Sequence, residues 1–181
     1  MVEGLRAGRP GSAFPTGCRW LIPQETAMKG NPQILKVLNE RLAEELTAIS
    51  MYMVHSEMCA NWGLEKLHQA FEKQAIDEMK HAEMLIGRIL FLEGSPTVSK
   101  LNHMKIGANV TDMIVADEDA ESGAIKNYNE TIAAAVKAGD NGTREMIAKI
   151  LLDEERHVDW AETQRELIAQ MGLQNYVANQ A

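Results

Sequence analysis

Cysteine is nearly missing from this chain, whose 181 residues carry only Cys18 and Cys59. Two widely spaced cysteines make neither a disulfide framework nor a zinc-ribbon pattern, and they point to a reducing, cytoplasmic setting. Long apolar runs are lacking too. None approaches the roughly 18 residues that span a bilayer, so no membrane partner is expected. Positive charge is in deficit: the formal net charge is −8, which excludes nucleic acid as the main partner and favours cations. What the chain does have is 45% hydrophobic content and length enough for one well-packed domain. Its 11 methionines suggest adaptable packing and carry no function by themselves.

Residues 1–27 stand apart. They hold three Pro, four Gly and no helical periodicity. Their longest apolar stretch, Trp20-Leu21-Ile22, is too short for a signal-peptide core. This segment reads as an upstream translated extension outside the fold, and residues 28–181 read as one domain.

The domain is all-α by pattern. Asn31-Pro32 is a helix start, with Asn as N-cap and Pro at the first helical position. Leu35, Leu38, Leu42, Glu45, Ile49 and Tyr52 then follow a 3-4-3-4-3 spacing along one seam. Gly63 stops this first helix. The second runs from about Leu64 to Phe91 with the seam Leu64, Leu67, Phe71, Gln74, Glu78, His81 and Leu85, and Gly94-Ser95-Pro96 ends it. A connection of roughly 15 residues is long for a helix–helix link and predicts a crossover along a four-helix bundle. The third helix starts near Asn109 or Val110, its inner face carrying Ile114, Asp117, Glu121, Ala124, Tyr128 and Ile132. Gly139-Asp140 stops it and restarts a fourth, whose stripe is Ile147, Ile150, Glu154, His157, Ala161 and Ile168. Gly172 breaks the fourth, and Leu173 to Asn179 predicts a short fifth C-terminal helix.

Carboxylates and imidazoles thus occupy seam positions where Leu is expected. Glu45 precedes Glu78 by 33 positions and His81 by 36; Glu121 stands in the same relation to Glu154 and His157; the two sets are offset by 76. Counting at 1.5 Å per residue from the turns brings Glu45 level with Glu78, and Glu121 level with Glu154. Each Glu-x-x-His pair leaves one helix face. An uncompensated internal charge costs several kcal/mol, so four carboxylates would rival a whole domain's stability of about 5–15 kcal/mol. Proton sharing relieves part of that cost. Two divalent cations relieve all of it, with neutral imidazoles completing the shells, and mixed O/N ligation suits Fe or Mn. The six residues are therefore read as the ligands of one two-metal centre. His55, His68 and His103 are read as solvated or locally hydrogen-bonded.

From Met28 onward the chain resembles bacterioferritin, a haem-containing member of the ferritin-like superfamily. AIDEMKHAEMLIGRILFLEG, DEERHVDW and MGLQNY carry the resemblance most specifically. It implies a ferritin-like four-helix bundle, with the crossover between helices 2 and 3, and iron storage by a ferroxidase that oxidises Fe²⁺ with O₂ or H₂O₂. It implies a homo-oligomeric cage of 24 subunits built of two-fold dimers around ferric mineral, with a small ferredoxin releasing iron. Position by position, Glu45, Glu78, His81 and Glu154 would ligate one iron of a di-iron centre, and Glu121, Glu154, His157 and Glu78 the other, with Glu78 and Glu154 bridging. Tyr52 matches a centre-adjacent tyrosine, though a buried phenol with a bonded hydroxyl reads equally as core. Met79 matches the ligand of a b-type haem shared by two subunits. It lies about 100° round the helix from Glu78, and its type alone would make it a packing methionine. Lys73 stands where some members have an inner-surface His, which puts an internal iron relay in doubt although Asp77 remains. The alternative function is a di-iron peroxidase or oxidase of the same bundle type without storage, and a haem-binding scaffold is a third.

Overall fold

The computed structural model describes residues 29–181; the expected extension at 1–27 lies outside the described residues. Five helices follow in order: α1 (Pro32–Asn61), α2 (Glu65–Phe91), α3 (Val110–Lys137), α4 (Asn141–Met171) and α5 (Leu173–Ala178). No strand occurs among the described residues. The expected all-α bundle, its long crossover and its short terminal helix are all present.

Local chemistry sets the helix ends. Asn31 Oδ1 accepts the Gln33 N–H at 2.8 Å with Pro32 at the first position of α1. Asn109 Oδ1 accepts the Asp112 N–H at 3.0 Å to open α3. Asp140 Oδ1 accepts the Thr143 N–H at 3.0 Å to open α4. Each satisfies a donor that the first turn leaves free. Gly139, at φ 70°, supplies the left-handed residue that ends α3.

α1 packs chiefly on α2 and α3 chiefly on α4, and α1 meets α3 to close the bundle. The crossover, residues 92–109, is laid against α1 at three points. The N–H of Thr97 donates to Asn39 Oδ1 at 2.7 Å, that of Asn102 to Thr47 Oγ1 at 2.8 Å, and that of Gly107 to His55 Nε2 at 3.0 Å. Gly107 passes so close to the first turn of α3 that a Cβ there would stand 2.2 Å from the Met113 nitrogen. α5 docks through Tyr176, whose O–H donates to Gln164 Oε1 at 2.9 Å.

The interior comprises two apolar clusters. One gathers Ile34, Leu38, Leu42, Leu85, Ile89, Ile147 and Ile150, together with Tyr128. The other gathers Leu64, Leu67, Phe71, Met113, Ile114 and Tyr176, together with Tyr52. Each fully buried aliphatic or aromatic side chain contributes roughly 1.5–3 kcal/mol. Of the seam residues, Leu35, Ile49, Ala124, Ile132 and Ile168 are only half-buried.

Candidate metal centre

Each of the four long helices brings at least one acid into the bundle: Glu45 from α1, Glu78 from α2, Glu121 from α3 and Glu154 from α4, all 3% exposed or less. His81 and His157 follow one turn after Glu78 and Glu154 and are also buried. The structure brings all six sequence-predicted residues together. They form two four-donor groups, Glu45, Glu78, His81, Glu154 and Glu78, Glu121, Glu154, His157, the donor atoms of each lying within 4.8 Å of one another. The imidazole centroids are 6.3 Å apart.

Glu78 and Glu154 belong to both groups because each splits its two oxygens. Glu78 presents Oε2 to His81 Nδ1 at 2.8 Å and Oε1 to His157 Nδ1 at 2.9 Å. Glu154 presents Oε1 to His81 Nδ1 at 3.2 Å and Oε2 to His157 Nδ1 at 3.6 Å. Glu45 serves one side only, with Oε2 3.4 Å from His81 Nδ1, and Glu121 the other, with Oε1 3.6 Å from His157 Nδ1.

Among the described residues, Glu45 Oε2, Glu78 Oε1, Glu154 Oε1 and His157 Nδ1 are buried without a hydrogen-bond partner. Orphaned buried polar atoms are costly and rare, and four in one cluster fit a site meant for cations. The donor set, oxygen-rich with two imidazoles, fits iron.

Electrostatics within the cluster follow its geometry. Burial, with Glu78 and Glu154 adding to it against the pull of His81, holds the Glu45 carboxyl well above the ordinary value. Burial does the same to Glu121, against His157. Burial would raise Glu78 and Glu154 as well, but the two imidazoles outweigh it, lowering Glu78 and bringing Glu154 to about 2. Burial would lower the histidines; three surrounding carboxylates overcome it and push His81 and His157 up to about 12. The two imidazoles are therefore charged against Glu78 and Glu154, and Glu45 and Glu121 are the acids of the cluster most inclined to hold a proton.

The surroundings hold Tyr52, expected beside the centre, and groups that the sequence reading did not assign to the site. The Tyr52 O–H, from α1, donates to Glu121 Oε1 on α3. The Tyr128 O–H, from α3, donates to Glu45 Oε1 on α1. Tyr128 had no role in that reading, yet it sits 76 positions after Tyr52, the same offset as the ligands. His55 corrects the expectation of a solvated or locally bonded residue. It is fully buried, its Nδ1 3.0 Å from Asp117 Oδ1 on α3. Because Nε2 accepts from Gly107, the proton lies on Nδ1 and faces the carboxylate. Burial raises Asp117 to about 6 against the opposing pull of His55. His68 is locally bonded across the α1–α2 turn, 2.8 Å from Ser56 Oγ, and His103 is exposed, so both match expectation. Asp77 is no free cation ligand: Lys73 and Lys80 hold its two oxygens at 2.7 and 2.8 Å.

A cavity of about 360 Å³ opens between α1, α3 and the crossover, and it reaches Glu45, Glu78, Glu121 and Glu154. Glu44 and Asp119 line its walls, with His103 and Lys105 contributed by the crossover. Arg41 holds Glu44 through a 2.7 Å ion pair.

This fold and donor set are those of the carboxylate-rich helical bundles that hold metal ions in pairs. Comparison with known proteins narrows the class. The ferritin-like domain family matches residues 35–171. A bacterial ferritin of Synechocystis sp. is 42% identical over 154 residues, covering 84% of this chain and 99% of its own. A bacterial ferritin of Paramagnetospirillum magnetotacticum is 40% identical, covering 85% and 95%. A bacterioferritin of Mycolicibacterium paratuberculosis is 37% identical, covering 83% and 95%. The chain belongs to the ferritin family and, within it, to the bacterioferritins.

Proposed function

We propose that this protein stores iron, and that it does so as a ferroxidase acting on Fe²⁺ at the six-residue centre. Glu45, Glu78, His81 and Glu154 hold one substrate ion; Glu78, Glu121, Glu154 and His157 hold the other. The observation that carries this reading is the split of the Glu78 and Glu154 oxygens between the two imidazoles. Two carboxylates shared in that way keep a pair of ions close enough to give up electrons to one oxidant. With peroxide the balance is two Fe²⁺, one H₂O₂ and two protons giving two Fe³⁺ and two waters. The four carboxylates match two divalent ions in charge, and they stabilise the Fe³⁺ product further by Coulomb attraction in a site shielded from water.

The cavity between α1, α3 and the crossover is the route for Fe²⁺ and oxidant to the centre. Residues 28–181 act as the single functional domain, with 1–27 outside it. Subunits pair about two-fold axes and assemble into a 24-subunit shell whose interior receives ferric mineral. Met79 supports a b-type haem at the two-fold, because it is 53% exposed on α2 and points away from the metal face. When bound, that haem supplies a one-electron relay, with a small ferredoxin as reductant for iron release. No helix among the described residues is long and apolar enough to cross a membrane, and a cytoplasmic location suits the free thiol of Cys59.

The test is Glu78→Ala. Size-exclusion chromatography should still show a particle of about 24 × 20 kDa, while Fe²⁺ oxidation and retention stop. A small wild-type species that turns over peroxide and retains no iron would replace storage with the peroxidase or oxidase alternative.

A further inference from the structure

The 76-residue repeat extends beyond the metal-binding side chains. Glu45 and Glu121, Glu78 and Glu154, and His81 and His157 are repeat mates, and so are Tyr52 and Tyr128. Both phenols are fully buried, Tyr128 in one apolar cluster and Tyr52 in the other, and each turns its hydroxyl to a carboxyl of the centre. Each reaches across to the other hairpin. Tyr52 donates to Glu121 and Tyr128 to Glu45.

The Glu45 half-site shows what this arrangement does. Oε1 of Glu45 is taken by the Tyr128 hydroxyl. Oε2 has no hydrogen-bond partner and lies 3.4 Å from His81 Nδ1. A carboxylate left to itself offers both oxygens and rotates about its last torsion, which is broad. With Oε1 fixed, one oxygen remains for a cation, and it is already turned toward the imidazole. We propose that Tyr128 is a positioning residue for the Glu45–His81 half-site. It acts through Glu45 to impose one-oxygen ligation, a device confined to this half-site: in the twin, the Tyr52 hydroxyl bonds Glu121 Oε1, the same oxygen that faces His157. The inference rests on the six-residue centre being a metal site.

The experiment is a Co²⁺ titration of the assembled full-length protein after chelation, read by the visible absorption of bound Co²⁺. The unmodified chain should take up two ions per subunit. Tyr128→Phe, which removes one oxygen atom and keeps the ring, should weaken one of the two by about tenfold or more, the size of a lost bond to a charged group, and spare the other. Tyr52→Phe, on the other half-site, should leave the Glu45–His81 ion unchanged. In a Glu45→Ala background Tyr128→Phe should change nothing further, whereas in a Glu121→Ala background its effect should persist in full. A general packing role would weaken both ions alike and would survive Glu45→Ala; either result overturns the inference, as does unchanged binding in Tyr128→Phe. An unmodified chain that binds no Co²⁺ would overturn the metal-site reading itself, so the two failures are distinct.

Discussion

Metal uptake by this centre should displace protons, and the number can be worked out from the buried groups. At neutral pH His81 and His157 carry one positive charge each, held up at about 12 by their carboxylate neighbours in spite of burial. Glu78 and Glu154 are ionised, and burial raises Glu45 and Glu121 well above the ordinary value, toward the protonated form. Two divalent ions held by four carboxylates and two neutral imidazoles are neutral overall. Binding therefore removes a proton from each imidazole and from whichever of Glu45 and Glu121 is protonated, or roughly two to four protons for each pair of ions bound.

The sign follows directly. Protons compete with cations for the same atoms, so affinity falls as pH falls. With one to two protons displaced per ion, apparent affinity should rise about 10- to 100-fold per pH unit through the neutral range. Calorimetric titration with Zn²⁺, which has no redox chemistry to complicate the count, in two buffers of different ionisation enthalpy would measure the stoichiometry. Glu45→Gln, which has no such proton to lose, should release up to about one fewer per pair. Release of fewer than two protons per pair in the unmodified protein, or affinity independent of pH, would refute the charge assignment. The cluster would then already hold its imidazoles neutral.

Other outcomes follow from separate features. Met79→Leu should abolish the haem absorption band while Fe²⁺ oxidation continues, and a retained band would remove Met79 from the haem site. Gly107→Ala forces a Cβ toward the Met113 backbone and should cost on the order of 1–3 kcal/mol, read as a lower melting temperature. For Asp117, a folded value near 6 against 3.8 means that the folded state holds this proton more tightly than the unfolded chain. That contribution is present at low pH and is lost as pH rises from about 4 to about 6, a loss on the order of 3 kcal/mol. Asp117→Asn, which still accepts from His55, should remove this component, so its melting temperature relative to the unmodified protein should climb across that range.

The helices and the six donors were legible because burial forces a period on them. Glu45, Glu78, Glu121 and Glu154 stand in stripes of Leu and Ile, and a carboxylate in such a stripe has to be answered by something. The turn glycines and Asn or Asp caps fixed the heights, so the acids could be brought level by counting residues. Tyr128 was legible by the same offset, since the rule that pairs Glu45 with Glu121 pairs Tyr52 with Tyr128; its phenol passed as core because a buried tyrosine and a bonded one look alike in sequence. His55 was not legible. Its partners are Asp117, 62 positions away, and the Gly107 N–H in the crossover, and the path of an irregular segment leaves no period to read.

The repeat also shows where its own authority ends. Asp77 and Asp153 are mates at the 76 offset, each beside its Glu ligand, and their neighbours repeat too: Lys73 with Lys149, and Lys80 with Arg156. Identical chemistry would follow if sequence position decided it. Instead both oxygens of Asp77 are held by Lys73 and Lys80, whereas Asp153 pairs with Arg156 and turns its other oxygen toward His81 Nε2 at 3.3 Å. The lysines and the arginine are at least 59% exposed, and exposed ion pairs are worth about 1 kcal/mol or less. At that scale several pairings compete, and small differences in backbone path select among them. A few ångströms further in, a misplaced carboxylate costs several kcal/mol and no alternative survives. The same repeat is therefore obeyed by the ligands and their phenols and broken by the charges just outside them. Among the described residues, His81 and not His157 gains a carboxylate on its outer nitrogen, which raises the basicity of that imidazole toward a bound cation and makes the two halves of the centre unequal.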